Sequence, residues 1–196
     1  MYSNGLAQVT PAGGATLCAK ARRLLEIIRQ KSVLRGKFKL ASGAYSDYYL
    51  DLKPTTFDPE GAALIGEVLL ARLRNIPEVT CIGGLELGSV PIIAAVCQRS
   101  WPEHPLPGFV VRKETKGHGT DKRIDGNFLP DATVALVEDV TTKGGSVMQA
   151  VNAVRARGAN VDRVFTIVDR LEGAQETLRQ DGIDLLPLFT TRDVLV

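Results

Sequence analysis

The chain has 196 residues, of which 44% are hydrophobic and 23% are charged, as in an ordinary single domain with an apolar core. The net charge of only +2 argues against wholesale binding to nucleic acid or membranes, so any site for a polyanion must be local. Three scattered cysteines exclude a complete disulfide framework, and two histidines are too few for a histidine-built metal site.

The first 15 residues are rich in small and turn-forming residues, which predicts a mobile N-terminal arm. They lack the basic start and apolar segment of a targeting signal, and no apolar run approaches the roughly 18 residues of a membrane span. We therefore expect a cytoplasmic protein that binds neither membranes nor nucleic acid. Residues 16–196 are expected to form one domain.

Leucines and isoleucines at helical spacing predict a first helix from Thr16, as its N-cap, to about Gln30. Alternating apolar and polar residues then predict a β-hairpin, with strands at 36–41 and 46–52 on either side of a turn at 42–44.

After Pro54, apolar strands alternate with helices. Helices are predicted at 58–75, with Asp58 as N-cap, and at 88–99, 145–157 and 172–180, and strands at 79–83, 108–111, 133–137, 161–168 and 185–189. This alternation predicts an α/β fold with a central parallel sheet flanked by helices on both faces. Ligands of such sheets bind at the carboxyl ends of the strands, so we expect the chemistry just after these strands.

The strongest motif follows the strand at 133–137, where two adjacent carboxylates, Glu138 and Asp139, precede a loop of hydroxyls and glycines that opens a helix. The backbone N–H groups of the loop and the helix N-terminus can bind a phosphate, and glycines let the backbone approach it closely. The two acids can accept hydrogen bonds from a diol, such as the 2′,3′-hydroxyls of a ribose, and can lie near a developing cation. The spacing excludes a Walker A loop and a GxGxxG motif.

A basic segment, residues 112–127, contains three glycines, six basic or histidine side chains and no apolar periodicity. A loop of this length inside a compact domain is usually functional. Cations on a flexible loop suit a polyanion that must be enclosed and then released.

The segment 138–146 resembles the ribose-phosphate-binding signature of the type I phosphoribosyltransferases. The R-K-x-x-K-x-H-G spacing of Arg112 to Gly119 is similar to that of orotate phosphoribosyltransferases in particular. Three more stretches resemble parts of that family: the hairpin at 38–51 that covers the base, the loop at 82–91 that approaches pyrophosphate, and the D-R-x-E motif at 169–172 that binds orotate. The resemblance covers roughly residues 20–190.

The resemblance implies the type I phosphoribosyltransferase fold, with a hood subdomain at about 16–55 and a flexible catalytic loop at about 113–127. It implies transfer of ribose 5-phosphate from phosphoribosyl pyrophosphate (PRPP) to orotate, giving orotidine 5′-monophosphate and pyrophosphate in pyrimidine (UMP) biosynthesis. Mg²⁺ is the implied cofactor, held mainly through PRPP and water and by no side chains alone. The implied partner is a second copy, in a homodimer whose catalytic loop is shared across the interface.

The resemblance also implies roles for individual residues. The implied catalytic residues are Lys113, Lys116, His118 and Asp139. The implied orotate-binding residues are Thr142 and Arg170, whose planar fork suits the carboxylate of orotate. The implied PRPP-binding residues are Arg112, Lys113, Lys116, His118, Glu138, Asp139, Val140, Thr141, Thr142, Lys143, Gly144, Gly145 and Ser146.

Two alternatives remain open from the residues. A phosphoribosyltransferase for a purine or uracil would keep segment 138–146 but would not need the basic segment or Arg170. A regulator on the same fold would bind PRPP without turnover, although such a protein usually needs a nucleic-acid-binding surface. His118 could donate either a proton or a hydrogen bond to pyrophosphate.

Overall fold

A computed structural model describes residues 14–39, 43, 45–113 and 123–196, with side chains from residue 18 onward. Most of the predicted N-terminal arm, most of the hairpin turn and the centre of the basic segment lie outside the described residues.

The described chain contains seven helices and eight strands. The helices are α1 (Gly14–Lys31), α2 (Lys53–Thr56), α3 (Pro59–Leu73), α4 (Ser89–Ser100), α5 (Gly145–Arg155), α6 (Ala174–Gln180) and α7 (Thr191–Val194). The strands are β1 (Val33–Lys39), β2 (Tyr45–Leu50), β3 (Cys81–Gly83), β4 (Phe109–Val111), β5 (Ile124–Gly126), β6 (Thr133–Thr141), β7 (Asn160–Asp169) and β8 (Asp184–Thr190).

The central sheet has the order β3-β6-β7-β8, and all its strands are parallel. β4 lies alongside β3 through two parallel bridges, and β5 pairs with β4 antiparallel. β1 and β2 form a separate antiparallel hairpin. The predicted parallel sheet and hairpin are therefore confirmed, and the carboxyl ends of β3, β6 and β7 lie at one edge.

Helices cover both faces of the sheet, as the nearly continuous apolar strands predict. Alternate residues of β6 point to opposite sides: Ala135 and Val137 belong to a core cluster with α1, α3 and α4, whereas Val134 and Leu136 belong to a cluster with α5 and α6. Full burial of each large apolar side chain contributes about 1.5–3 kcal/mol, so these clusters hold the sheet edge rigidly in place.

Several predicted boundaries were wrong by a few residues. α1 begins at Gly14, so Thr16 lies inside the helix and is not its N-cap. β6 extends four residues past Val137 because it continues to pair with β7 as far as Thr141. α6 begins at Ala174, two residues later than predicted. The N-cap at Asp58 is confirmed, since its carboxylate accepts hydrogen bonds from the backbone N–H groups of Glu60 and Gly61.

Candidate active site at the carboxyl edge of the sheet

The loop between β6 and α5 has the geometry of an anion site. Gly144 is the N-cap of α5 and has a φ of 84°, a left-handed conformation that favours glycine. Among the described residues no side chain caps this helix end, and Thr142, Lys143, Gly145 and Ser146 are exposed. The positive end of the helix dipole and its first N–H groups are therefore not occupied by a described side chain, which suits a phosphate.

The two carboxylates belong to the last four residues of β6, whereas the sequence predicted that they follow the strand. Glu138 is 7% exposed, whereas Asp139 is half-buried. Burial, together with the charge of Asp139, raises the pKa of Glu138 to about 8, although the charge of Lys113 opposes the rise. One backbone N–H donates to each carboxylate: Asp139 to Glu138 at 3.2 Å and Val140 to Asp139 at 2.7 Å.

The elevated pKa of Glu138 predicts a pH-dependent stability. The folded protein keeps this proton up to about pH 8, whereas the unfolded chain loses it near 4.5, the ordinary pKa of glutamate. Between these pH values the folded state binds one more proton, so its free energy of unfolding falls as pH rises. We expect wild type to lose on the order of 2–4 kcal/mol relative to Glu138→Gln between about pH 5 and pH 8.

Urea unfolding of both proteins at several pH values measures this difference. Burial also raises the pKa of Asp169, but that group is common to both proteins and cancels in the difference. Parallel pH profiles for the two proteins would contradict the prediction.

The loop after β3 approaches Asp139 closely. A methyl group added at Gly88 would lie 2.5 Å from Cγ and Oδ1 of Asp139, so the carboxylate lies directly against the Gly88 backbone. The same loop contacts the start of the basic segment, because the backbone N–H of Lys113 donates to Glu86 Oε1 at 3.0 Å. The loops after β3, β4 and β6 therefore meet at the paired carboxylates.

Arg170 follows β7 at the same edge, and its side chain is 10% exposed. Its backbone N–H donates to Thr141 O at 2.9 Å, and the N–H of Ala174 donates to Thr142 O at 3.1 Å, so the turn after β7 is joined to the end of β6 and the loop that follows it. Arg170 Nε lies 2.8 Å from Glu172 Oε1. This contact is an ion pair without hydrogen-bond geometry, so the buried Nε has no hydrogen-bond partner among the described residues.

Both ends of the basic segment lie among the described residues. Residues 124–126, which were predicted to belong to the loop at 113–127, form β5. Arg112 is held in this stem: its Nε donates to Asp125 at 2.5 Å, its backbone N–H donates to Arg123 O at 2.9 Å, and its carbonyl accepts from Arg123 Nε at 3.2 Å. Lys116 and His118 lie outside the described residues.

The structure shows contacts of two residues at the site that the sequence did not indicate. Lys53 pairs with Asp51 at 2.6 Å. That hydrogen bond raises the pKa of Lys53, and the charge of Asp139 adds to the rise, so Lys53 lies within electrostatic reach of the paired carboxylates. Tyr48 lies over the guanidinium of Arg170. The hairpin motif contains Tyr48, but no spacing in the sequence indicates which side chain it contacts.

Among the described residues, no group of three or more histidine, cysteine, aspartate or glutamate side chains could hold a metal ion. In the same part of the chain, no helix combines the length and the apolar character needed to cross a membrane.

The fold and this sheet edge fit the type I phosphoribosyltransferase class that the sequence resembles, and comparison with known proteins tests that resemblance. No family model matches the chain. An orotate phosphoribosyltransferase from a Bradyrhizobium strain is 47% identical over 182 residues, which cover 90% of this chain and 98% of that protein. The chain belongs to the orotate phosphoribosyltransferase family.

Two solved structures of a Mycobacterium tuberculosis enzyme are also similar to this chain. Its orotate phosphoribosyltransferase in complex with Fe(III) dicitrate is 36% identical, with a TM-score of 0.80 and coverage of 90% of this chain and 99% of that one. The complex with PRPP is 33% identical, with a TM-score of 0.76 and the same coverage. The predicted family and fold class are confirmed.

Proposed function

We propose that the chain catalyses the reaction of its family with the residues gathered at this sheet edge. Ribose 5-phosphate passes from PRPP to orotate, and the products are orotidine 5′-monophosphate and pyrophosphate. One observation carries the proposal: an uncapped helix N-terminus and a nine-tenths buried arginine are joined by backbone hydrogen bonds beside two carboxylates. A phosphate site and a carboxylate site at the two ends of a ribose site match the two substrates.

The 5-phosphate of PRPP binds the loop from Val140 to Ser146. The exposed loop N–H groups and the hydroxyls of Thr142 and Ser146 donate to its oxygens, and the helix dipole of α5 stabilises its charge. Glu138 and Asp139 accept hydrogen bonds from the ribose hydroxyls. The charge of Asp139 also favours the cationic character that the sugar acquires as its bond to pyrophosphate breaks.

The basic segment stabilises the leaving pyrophosphate. Lys113 lies within electrostatic reach of Glu138, so its ammonium group lies near the ribose end of the site. Lys116 and His118 follow it in the chain and complete the pyrophosphate contacts, with His118 donating a hydrogen bond or a proton. Arg112 is paired with Asp125. It therefore binds pyrophosphate only if this ion pair opens, and otherwise it supports the site by holding the two ends of the basic segment together.

Orotate binds through its carboxylate to Arg170, assisted by the hydroxyl of Thr142. The buried guanidinium has already lost most of its hydration, so a carboxylate ligand can supply the acceptor that its terminal nitrogens lack within the described residues. Nitrogen 1 of orotate then attacks the ribose carbon as pyrophosphate leaves. Catalysis is positional and electrostatic, and it needs no covalent enzyme nucleophile.

We also propose Mg²⁺ as the cofactor. Phosphate, hydroxyl and water oxygens are the ligands that Mg²⁺ prefers, and PRPP supplies them. When bound, the ion neutralises charge on the pyrophosphate group. Glu138 and Asp139 would hold the ribose hydroxyls in place while the ion is bound.

The remaining proposals concern organisation. We propose a hood subdomain at about 16–55 over the base, a cytoplasmic location, and a homodimer in which the catalytic loop of one protomer reaches the site of its partner. The hood is supported by the contact between Tyr48 of the hairpin and Arg170 of the sheet edge. Analytical ultracentrifugation tests the dimer.

The first test follows the ultraviolet absorbance of orotate with protein, PRPP and Mg²⁺, omitting each in turn. We expect a loss of orotate signal that requires all components. Lys113→Ala should lower kcat by about 10- to 50-fold, because a charged donor to the leaving group is lost. Lys20→Ala, which removes a surface lysine paired with Glu67, is the matched control and should leave kcat unchanged.

Other outcomes select the alternatives. Turnover of a purine or uracil in place of orotate would move the substrate while keeping the phosphate site. PRPP binding without turnover of any base would favour the regulator.

A further inference from the structure

A contact between an aromatic ring and an arginine joins the hairpin to the carboxyl edge of the sheet. The guanidinium carbon of Arg170 lies 5.2 Å from the ring centroid of Tyr48, over the face of the ring. This is the geometry of a cation–π interaction, in which the negative ring face attracts the cation. The contact joins β2, a strand of the hairpin, to the turn that follows β7, a strand of the central sheet.

Tyr48 is itself held in place. Its backbone pairs with Arg35 of β1, and its carbonyl accepts a hydrogen bond from Ser46 Oγ at 2.7 Å. Its ring is half-buried and packs against the core cluster that includes Leu50 and Leu52. The ring therefore presents a fixed surface and not a freely rotating side chain.

The terminal nitrogens of the Arg170 guanidinium make no hydrogen bond with the described residues. The backbone of Arg170 is fixed through its N–H, to Thr141, and through its carbonyl, which accepts from Thr191 Oγ1 at 3.2 Å. Glu172 meets the Nε side of the guanidinium, and the guanidinium carbon lies over the Tyr48 ring. The two terminal nitrogens form the edge opposite the Nε side, and this edge is the one that a carboxylate can engage with two parallel hydrogen bonds.

We propose that Tyr48 is a positioning residue that, together with Glu172, holds the Arg170 guanidinium in the orientation needed to bind the carboxylate of orotate. The inference rests on the proposed orotate site. The contact with the ring limits where the guanidinium can lie, and the ion pair with Glu172 limits how it can rotate. Because Arg170 is nine-tenths buried, the attraction to the ring is only weakly screened by water.

The test compares Tyr48→Leu, which removes the aromatic face, with Tyr48→Phe, which keeps it. We expect Tyr48→Leu to raise KM for orotate by roughly 5- to 30-fold, the range of a partly desolvated cation–π contact, with KM for PRPP nearly unchanged. Tyr48→Phe should restore KM for orotate to within about twofold of wild type. Trp101→Leu is the matched control outside the hairpin, since Trp101 is a 74% exposed aromatic residue at the C-terminal end of α4, the end far from the site.

A double-mutant cycle separates positioning from direct contact with the substrate. If Tyr48 acts through Arg170, Tyr48→Leu should have little further effect on KM for orotate in an Arg170→Gln background. An equal effect in both backgrounds, or an unchanged KM in Tyr48→Leu alone, would overturn the inference while the orotate reaction stands. Absence of orotate turnover by wild type would overturn the proposed function itself. Thermal unfolding and PRPP binding verify that each variant is folded.

Discussion

Arg170→Gln is expected to lower kcat/KM for orotate by about 10²- to 10³-fold. Glutamine keeps much of the length and the polarity of the side chain but loses the charge and the planar pair of terminal donors. A buried, charge-assisted pair with a ligand carboxylate is worth several kcal/mol when one partner is removed, which corresponds to this range. Initial-rate kinetics at saturating PRPP measure the effect.

PRPP binding should be nearly unaffected by this change, because Arg170 contacts the phosphate loop only through its backbone in the described structure. Arg163→Gln is the matched control: Arg163 lies near the start of the same strand, pairs with Glu78 and Asp162, and should tolerate the change without loss of kcat/KM. If Arg170→Gln and Arg163→Gln behave alike, Arg170 does not bind orotate.

Gly88→Ala is expected to lower kcat/KM for PRPP by about 10²-fold while the fold is kept. The backbone of Gly88 is right-handed helical, with φ of −59°, so alanine fits its conformation. The new methyl group would meet the Asp139 carboxylate at 2.5–2.6 Å, and that carboxylate must move away. The end of a side chain can move at small cost to stability, but the hydrogen bonds proposed between this carboxylate and the ribose would then be lost.

Gly182→Ala provides the contrast. Gly182 has a left-handed φ of 71° and no atom within 4 Å of an added methyl group, so alanine there should destabilise by about 1 kcal/mol without changing kcat/KM. Urea unfolding and PRPP-dependent initial rates on both variants separate the two effects. Full activity in Gly88→Ala would show that the position of the Asp139 carboxylate is unimportant for PRPP.

Contiguous features of this protein could be predicted from the sequence. The phosphate loop from Val140 to Ser146 is one uninterrupted segment, in which a strand, a glycine turn and a helix start carry their own local signals. The parallel sheet followed from apolar strands alternating with helices. The parallel sheet also predicted that Arg170 and the phosphate loop share an edge, because the carboxyl ends of parallel strands lie together.

Boundaries were less predictable where pairing decided them. β6 continues through Glu138 to Thr141 because β7 supplies hydrogen-bond partners that no residue of β6 indicates. β5 formed inside the basic segment, where a short strand has little apolar pattern and is stabilised by pairing with β4 and by the ion pair of Arg112 with Asp125.

The sequence by itself determined the family, the α/β fold and the chemical types of the site residues, because these depend on local pattern and on motif spacing. Only the tertiary structure decided which residues lie next to one another at the site. The Gly88 backbone lies against the Asp139 carboxylate, Lys53 lies close enough to interact with the charge of Asp139, and the Arg170 guanidinium lies over the Tyr48 ring. Each of these pairs joins segments far apart in the chain. Their contact depends on how the hairpin, the loop after β3 and the sheet edge pack together, and that packing leaves no periodicity in the sequence.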